Sequence, residues 1–165
     1  MSLDTLNLVA PVCLADYTRP ALVQPCLRER DTAGIISELS QALQQQGFVP
    51  DVLPFYHAAL NRELMANSAL DCGIAFPHAR LGGVKQLQFA LGRVPHPVIW
   101  GAKGSWPVQL VFLLAVPATG AANYLHLLAS LARLGQQPEL VGQLRSAGST
   151  DLILGLLSKI RIKQG

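Results

Sequence analysis

Asp71-Cys72-Gly73-Ile74-Ala75-Phe76-Pro77-His78-Ala79-Arg80 sets a short apolar run between a glycine and a proline and ends it on a histidine. Ile74-Ala75-Phe76 reads as a buried strand opened by Gly73, and Pro77, with no N–H to give, ends regular hydrogen bonding. His78 is therefore expected where a strand stops, and loops at strand ends are where folds place their chemistry.

The segments on either side supply the rest of the architecture. From Asp31 to Gln46, Ile35, Ile36, Leu39, Ala42 and Leu43 share one helical face, with Asp31 or Thr32 as cap and Gly47 as stop. A second helix is predicted from Asp51 to Met65, with Leu53, Tyr56, Leu60 and Leu64 facing inward and Arg62 on the polar side. Extended runs follow at Leu87–Val94 and Val108–Val116, and Val98-Ile99-Trp100 reads as a further short strand. Ala121–Leu134 turns helical again with Tyr124, Leu127, Leu128 and Leu131 inward, and helices fit Pro138–Arg145 and Thr150–Ile160. Helices, strands and helices in that order predict an α/β fold, a mixed β-sheet flanked by helices.

The chain has 165 residues, half of them apolar and 14% charged, which suits one globular domain spanning 1–165 with a substantial core. No internal repeat or long Pro/Gly/Ser linker divides it. The longest apolar run, Leu110 to Val116, falls far short of the roughly 20 residues of a membrane-spanning helix, so no membrane insertion is expected. Met1-Ser2-Leu3-Asp4 lacks the basic start of a signal peptide, and the chain is read as cytoplasmic. Cys13, Cys26 and Cys72 are an odd number at wide spacings, which fits free thiols and neither a disulfide framework nor a zinc site. The formal charge of +3 comes from scattered Lys and Arg, which argues against a nucleic-acid surface. Lys159, Arg161 and Lys163 read as a solvated helix end.

His78, Arg62 and His126 lie on three predicted elements and are the candidates for chemistry. Each alone has an ordinary reading, a loop histidine or a solvated arginine. Asn123, His126, Ser130 and Arg133 form a polar stripe opposite Leu128, which either faces water or lines a shallow anion site near His78. His57 reads as a packed or half-exposed helix residue, His96, between two prolines, as a loop residue, and Cys72 as packing.

Gly73-Ile74-Ala75-Phe76-Pro77-His78 resembles the phosphorylation-site motif of the fructose/mannitol (type 2) enzyme IIA family. These are domains of the bacterial phosphoenolpyruvate-dependent sugar phosphotransferase system (PTS), with a nitrogen-regulatory branch. Asn61-Arg62-Glu63 is similar to the family's helix-borne Arg-Glu pair. Val111-Phe112-Leu113-Leu114-Ala115-Val116-Pro117 resembles its late strand, and Tyr124-Leu125-His126-Leu127-Leu128 the helix carrying its second active-site histidine. Phe76 stands where a smaller aliphatic residue is common.

The resemblance implies a phosphocarrier. Neutral imidazole is nucleophilic near pH 7 and its phosphoramidate passes the group onward. Nε2 of His78 would take a phosphoryl group from the phosphohistidine carrier protein (HPr) and give it to a cysteine of an enzyme IIB, with Arg62 and His126 steadying the oxygens and with no metal or other cofactor. Three other readings compete: a nitrogen-related regulatory IIA protein with the same His78 chemistry, a non-catalytic binding module on the same fold, and a histidine-based metal protein. The last lacks close-set additional ligands.

Overall fold

The apolar run ending at Val116 forms most of β5 (Pro107–Pro117), the strand around which the sheet is laid. The computed structural model describes residues 13–101 and 106–163, so the start read for targeting lies outside the described residues. Along β5, Leu110, Phe112, Leu114 and Val116 enter one buried cluster, while Val111, Leu113 and Ala115 enter another, as the two-residue period of a strand requires. A strand apolar on both faces needs cover on both. Helices α1 (Thr32–Gln45) and α2 (Val52–Met65) cover one face, and α3 (Ala121–Leu134), α4 (Pro138–Ser146) and α5 (Thr150–Leu157) the other.

β1 (Val23–Gln24) lies parallel to β4 (Gln88–Ile99), β4 is antiparallel to β5, and β2 (Ile74–Ala75) and β3 (His78–Leu81) run parallel to β5 along its other edge. This is the α/β fold with a mixed sheet that the order of elements predicts. In α1, Asp31 is the cap, its carboxylate accepting the Gly34 N–H at 2.7 Å, and Gly47 follows the helix with φ +82°.

Four expectations are corrected. The strand opened by Gly73, at φ +93°, does not end at Pro77. Ile74 pairs with Leu110 and His78 with Leu114, an unchanged register, and the Pro77 carbonyl still accepts the Leu114 N–H at 2.9 Å. Proline removes one donor from the ladder without turning the chain. His78 thus opens a resumed strand, on which His78 and Arg80 face the α3 side opposite Leu114 and Val116, while Ala79 is buried toward α1 and α2.

On α2 the inward face is Phe55, Ala59 and Glu63, leaving Leu53 59% and Leu64 47% exposed. A glutamate reads as a solvent residue until tertiary partners for it are known. The run 87–94 and the short strand at 98–99 are one strand, β4, with a register irregularity between Arg93 and Val98. The exposed His96 therefore sits in β4 between Pro95 and Pro97, not in a loop. α5 ends at Leu157, and beyond it Ile160 and Ile162 are buried while Lys159, Arg161 and Lys163 stay in water.

Candidate functional site

A cleft of about 330 Å³ opens where the sheet edge carrying His78 meets the C-terminal end of α2 and the face of α3. Its walls are mostly apolar, from Leu70, Phe76, Leu128 and Ala132, and its polar members include Arg62, Ser68 and His78. His78 is half-buried, and its Nδ1 lies 3.3 Å from the Phe76 carbonyl. A carbonyl only accepts, so the tautomer assigned from this contact has Nδ1–H donating and the lone pair on Nε2. That is the nitrogen a nucleophilic imidazole uses.

Beneath the histidine runs a buried polar chain. Glu63, 2% exposed, receives on Oε2 the Trp100 Nε1–H at 2.6 Å, the Ser68 N–H at 2.7 Å and the Ser68 hydroxyl at 2.8 Å. The Ser68 oxygen in turn accepts the Phe76 N–H at 2.7 Å. A buried carboxylate is tolerated when its lone pairs are used in this way. Through Ser68 it holds the backbone of Phe76, whose carbonyl meets the His78 ring.

Of the sequence candidates, the structure brings Arg62 and His78 to the same cleft. Arg62 is exposed, with one guanidinium nitrogen 3.4 Å from the Ala66 carbonyl. His126 does not line the cleft. Tyr124, Leu128 and His126 belong to one helix, and at about 100° per residue His126 lies about 200° around it from Tyr124 and as far from Leu128. Leu128 faces the cleft and the Tyr124 ring lies 5.7 Å from the His78 ring, centroid to centroid, so His126 sits on the other shoulder of α3. None of the polar stripe it was read with, Asn123, Ser130 and Arg133, lines the cleft either. Ser130 is 1% exposed and accepts from Arg133 at 2.9 Å.

Tyr124 and Arg80 are the neighbours of His78 that the sequence reading missed. The Arg80 Cζ lies 5.3 Å from the Tyr124 ring centroid, a cation–π contact. Two signals point to them. Tyr124 is four residues before Leu128, and Arg80 is two after His78 on one strand face, which is visible only if the strand continues past Pro77.

Burial pushes the Cys72 thiol up from its ordinary value, which disfavours its nucleophilic thiolate. Cys13, Cys26 and Cys72 are all free. Among the described residues no group of three His, Cys, Asp or Glu side chains gathers as a metal would need, and no helix is long and apolar enough to cross a membrane. His57 is exposed on α2, its ring 5.3 Å from that of Tyr56.

Residues 17–160 match the family described as the phosphoenolpyruvate-dependent sugar phosphotransferase system, EIIA 2. The nitrogen regulatory protein of Escherichia coli is 30% identical over 158 residues, covering 94% of this chain and 92% of that protein. Among solved structures, nitrogen regulatory protein IIA-Ntr from Neisseria meningitidis superposes with a TM-score of 0.77 at 25% identity, over 87% of this chain and 97% of that one. The complex of enzyme IIAMTL and phosphorylated enzyme IIBMTL from Escherichia coli shares the fold, with a TM-score of 0.70 at 19% identity over 84% and 95% of the chains.

Proposed function

Because the chain belongs to the EIIA 2 family of the phosphoenolpyruvate-dependent sugar phosphotransferase system, we propose that it is a phosphohistidine carrier whose acceptor atom is Nε2 of His78. The observation that carries this reading is the His78 ring at the cleft edge with its other nitrogen on the Phe76 carbonyl. The Nε2 lone pair forms the new N–P bond as the donor's N–P bond breaks, and the electron pair of the broken bond stays on the donor nitrogen. The proton stays on Nδ1 and continues to be donated to the Phe76 carbonyl, which stabilises the positive charge the ring gains. Arg62, on the same cleft, meets the phosphoryl oxygens with a planar fork of donors. His126, on the other shoulder of α3, takes no part in transfer.

The donor in this reading is the phosphohistidine carrier protein and the acceptor a cysteine of an enzyme IIB, in the cytoplasm. The solved complex of a IIA with a phosphorylated IIB supports a partner of that kind. A second reading keeps the chemistry and changes the output to regulation. It is favoured by the match to the Escherichia coli nitrogen regulatory protein over nearly the whole of both chains.

Incubation with phosphoenolpyruvate, enzyme I and the phosphohistidine carrier protein tests the shared part. The chain takes up one acid-labile, base-stable phosphoryl group, His78→Ala takes up none, and Arg62→Gln slows uptake on the order of tenfold or more, the value of a charge-assisted hydrogen bond. Undiminished labelling of His78→Ala overturns the assignment. Failure of the folded wild type to label favours a non-catalytic binding module.

A further inference from the structure

We propose that Arg80, stacked on Tyr124, and Arg62 form a two-sided guanidinium clamp on a phosphoryl group carried by His78, with Tyr124 as the residue that positions the clamp. This rests on the phosphocarrier reading and goes beyond it by naming the residues of the second wall.

The placement follows from strand and helix geometry. His78 and Arg80 share one face of β3, about 7 Å apart along it, within the span of an arginine side chain. The Tyr124 ring stands beside both, 5.7 Å from the imidazole and 5.3 Å from the guanidinium carbon. A guanidinium lying over an aromatic face keeps its N–H edges available, so the stack fixes the plane of Arg80 without using the donors that bind phosphate. Arg62 enters from α2 across the cleft.

Charge supports the same use. Among the described residues, neither Arg62 nor Arg80 pairs with a carboxylate; the ion pair found, Arg28 with Glu38, is elsewhere. The nearby Glu63 carboxylate is spent on Ser68 and Trp100. Arg62 on the cleft and Arg80 beside the Tyr124 ring thus leave two cations without a carboxylate partner near His78, and the dianionic oxygens of a phosphoryl group on Nε2 complement them.

The experiment measures labelling of His78 by two donors, the phosphohistidine carrier protein and phosphoramidate, a small donor that needs no docking surface. With both, Arg80→Gln is expected to lower the rate on the order of tenfold and to weaken its dependence on ionic strength. Tyr124→Phe keeps the ring and stays near the wild-type rate. Tyr124→Leu loses the stack and falls toward Arg80→Gln, and the double variant Arg80→Gln, Tyr124→Leu is no slower than Arg80→Gln alone, because the two residues act as one unit.

Wild-type rates in Arg80→Gln, or losses that multiply in the double variant, overturn the clamp and leave the carrier reading standing. A loss seen with the protein donor and absent with phosphoramidate also overturns it, since Arg80 then serves docking. If the folded wild type gains no label from either donor, the carrier reading itself falls, and the clamp with it.

Discussion

Replacing Ser68 by alanine removes one oxygen from the polar chain under His78 and should cost far more than the same change at Ser40. In Ser68→Ala the hydroxyl no longer donates to the Glu63 carboxylate at 2.8 Å, and the Phe76 N–H loses its acceptor at 2.7 Å. A hydrogen bond to a charged group contributes about 1.5–3 kcal/mol, and an orphaned buried donor costs about 1–3 kcal/mol. Ser68 is half-buried, so water recovers part of this, and we expect a loss of about 3 kcal/mol. For a chain of this length that corresponds to a fall in Tm of roughly 6–12 °C.

Ser40, on α1, is the control: it is fully buried and its hydroxyl has no partner among the described residues. Ser40→Ala should be neutral or stabilising by up to about 1 kcal/mol, because it removes an unmet polar group. Urea unfolding followed by fluorescence reads both, since the buried Trp100 donates to the same carboxylate. The reasoning is refuted if Ser68→Ala stays within about 0.5 kcal/mol of wild type, or if both variants lose stability equally. Ser68→Ala should also slow labelling of His78, because the carbonyl that orients the ring belongs to the residue set loose.

His126→Ala should fold and accept phosphate within about a factor of two of the wild-type rate, since the side chain lies around α3 from the cleft; a loss as large as that of Arg62→Gln in the same labelling assay would return His126 to the site. At neutral pH iodoacetamide should modify the exposed Cys26 well before Cys72, and Cys72 should quicken only as the pH rises past the ordinary thiol range, because burial raises its pKa and only the thiolate reacts; equal rates at neutral pH by mass spectrometry would contradict this.

The helices and strands of this protein are legible because their periodicities are strong. Ala121–Leu134 is predicted and found with the same bounds, and the apolar run Val108–Val116 is predicted as extended and found in β5, covered on both faces. The misreadings fall where a residue's environment is set from far away in the chain. Glu63 lies on the inward face of α2 because Trp100, 37 residues distant, supplies a donor to its carboxylate, which local periodicity does not show. Leu53 and Leu64 were placed inside for the complementary reason.

By itself the sequence determined the fold class, since that follows from the order of local patterns, and through the family motif it named His78 and Arg62 as candidates. Tertiary structure alone decided that the strand resumes after Pro77, which puts Arg80 on the face of His78, and that α3 turns Leu128 toward the cleft and Tyr124 toward the His78 ring while carrying His126 away. The physical reason is that periodicity fixes which residues share a face, whereas the direction that face points is fixed by burial against the rest of the chain.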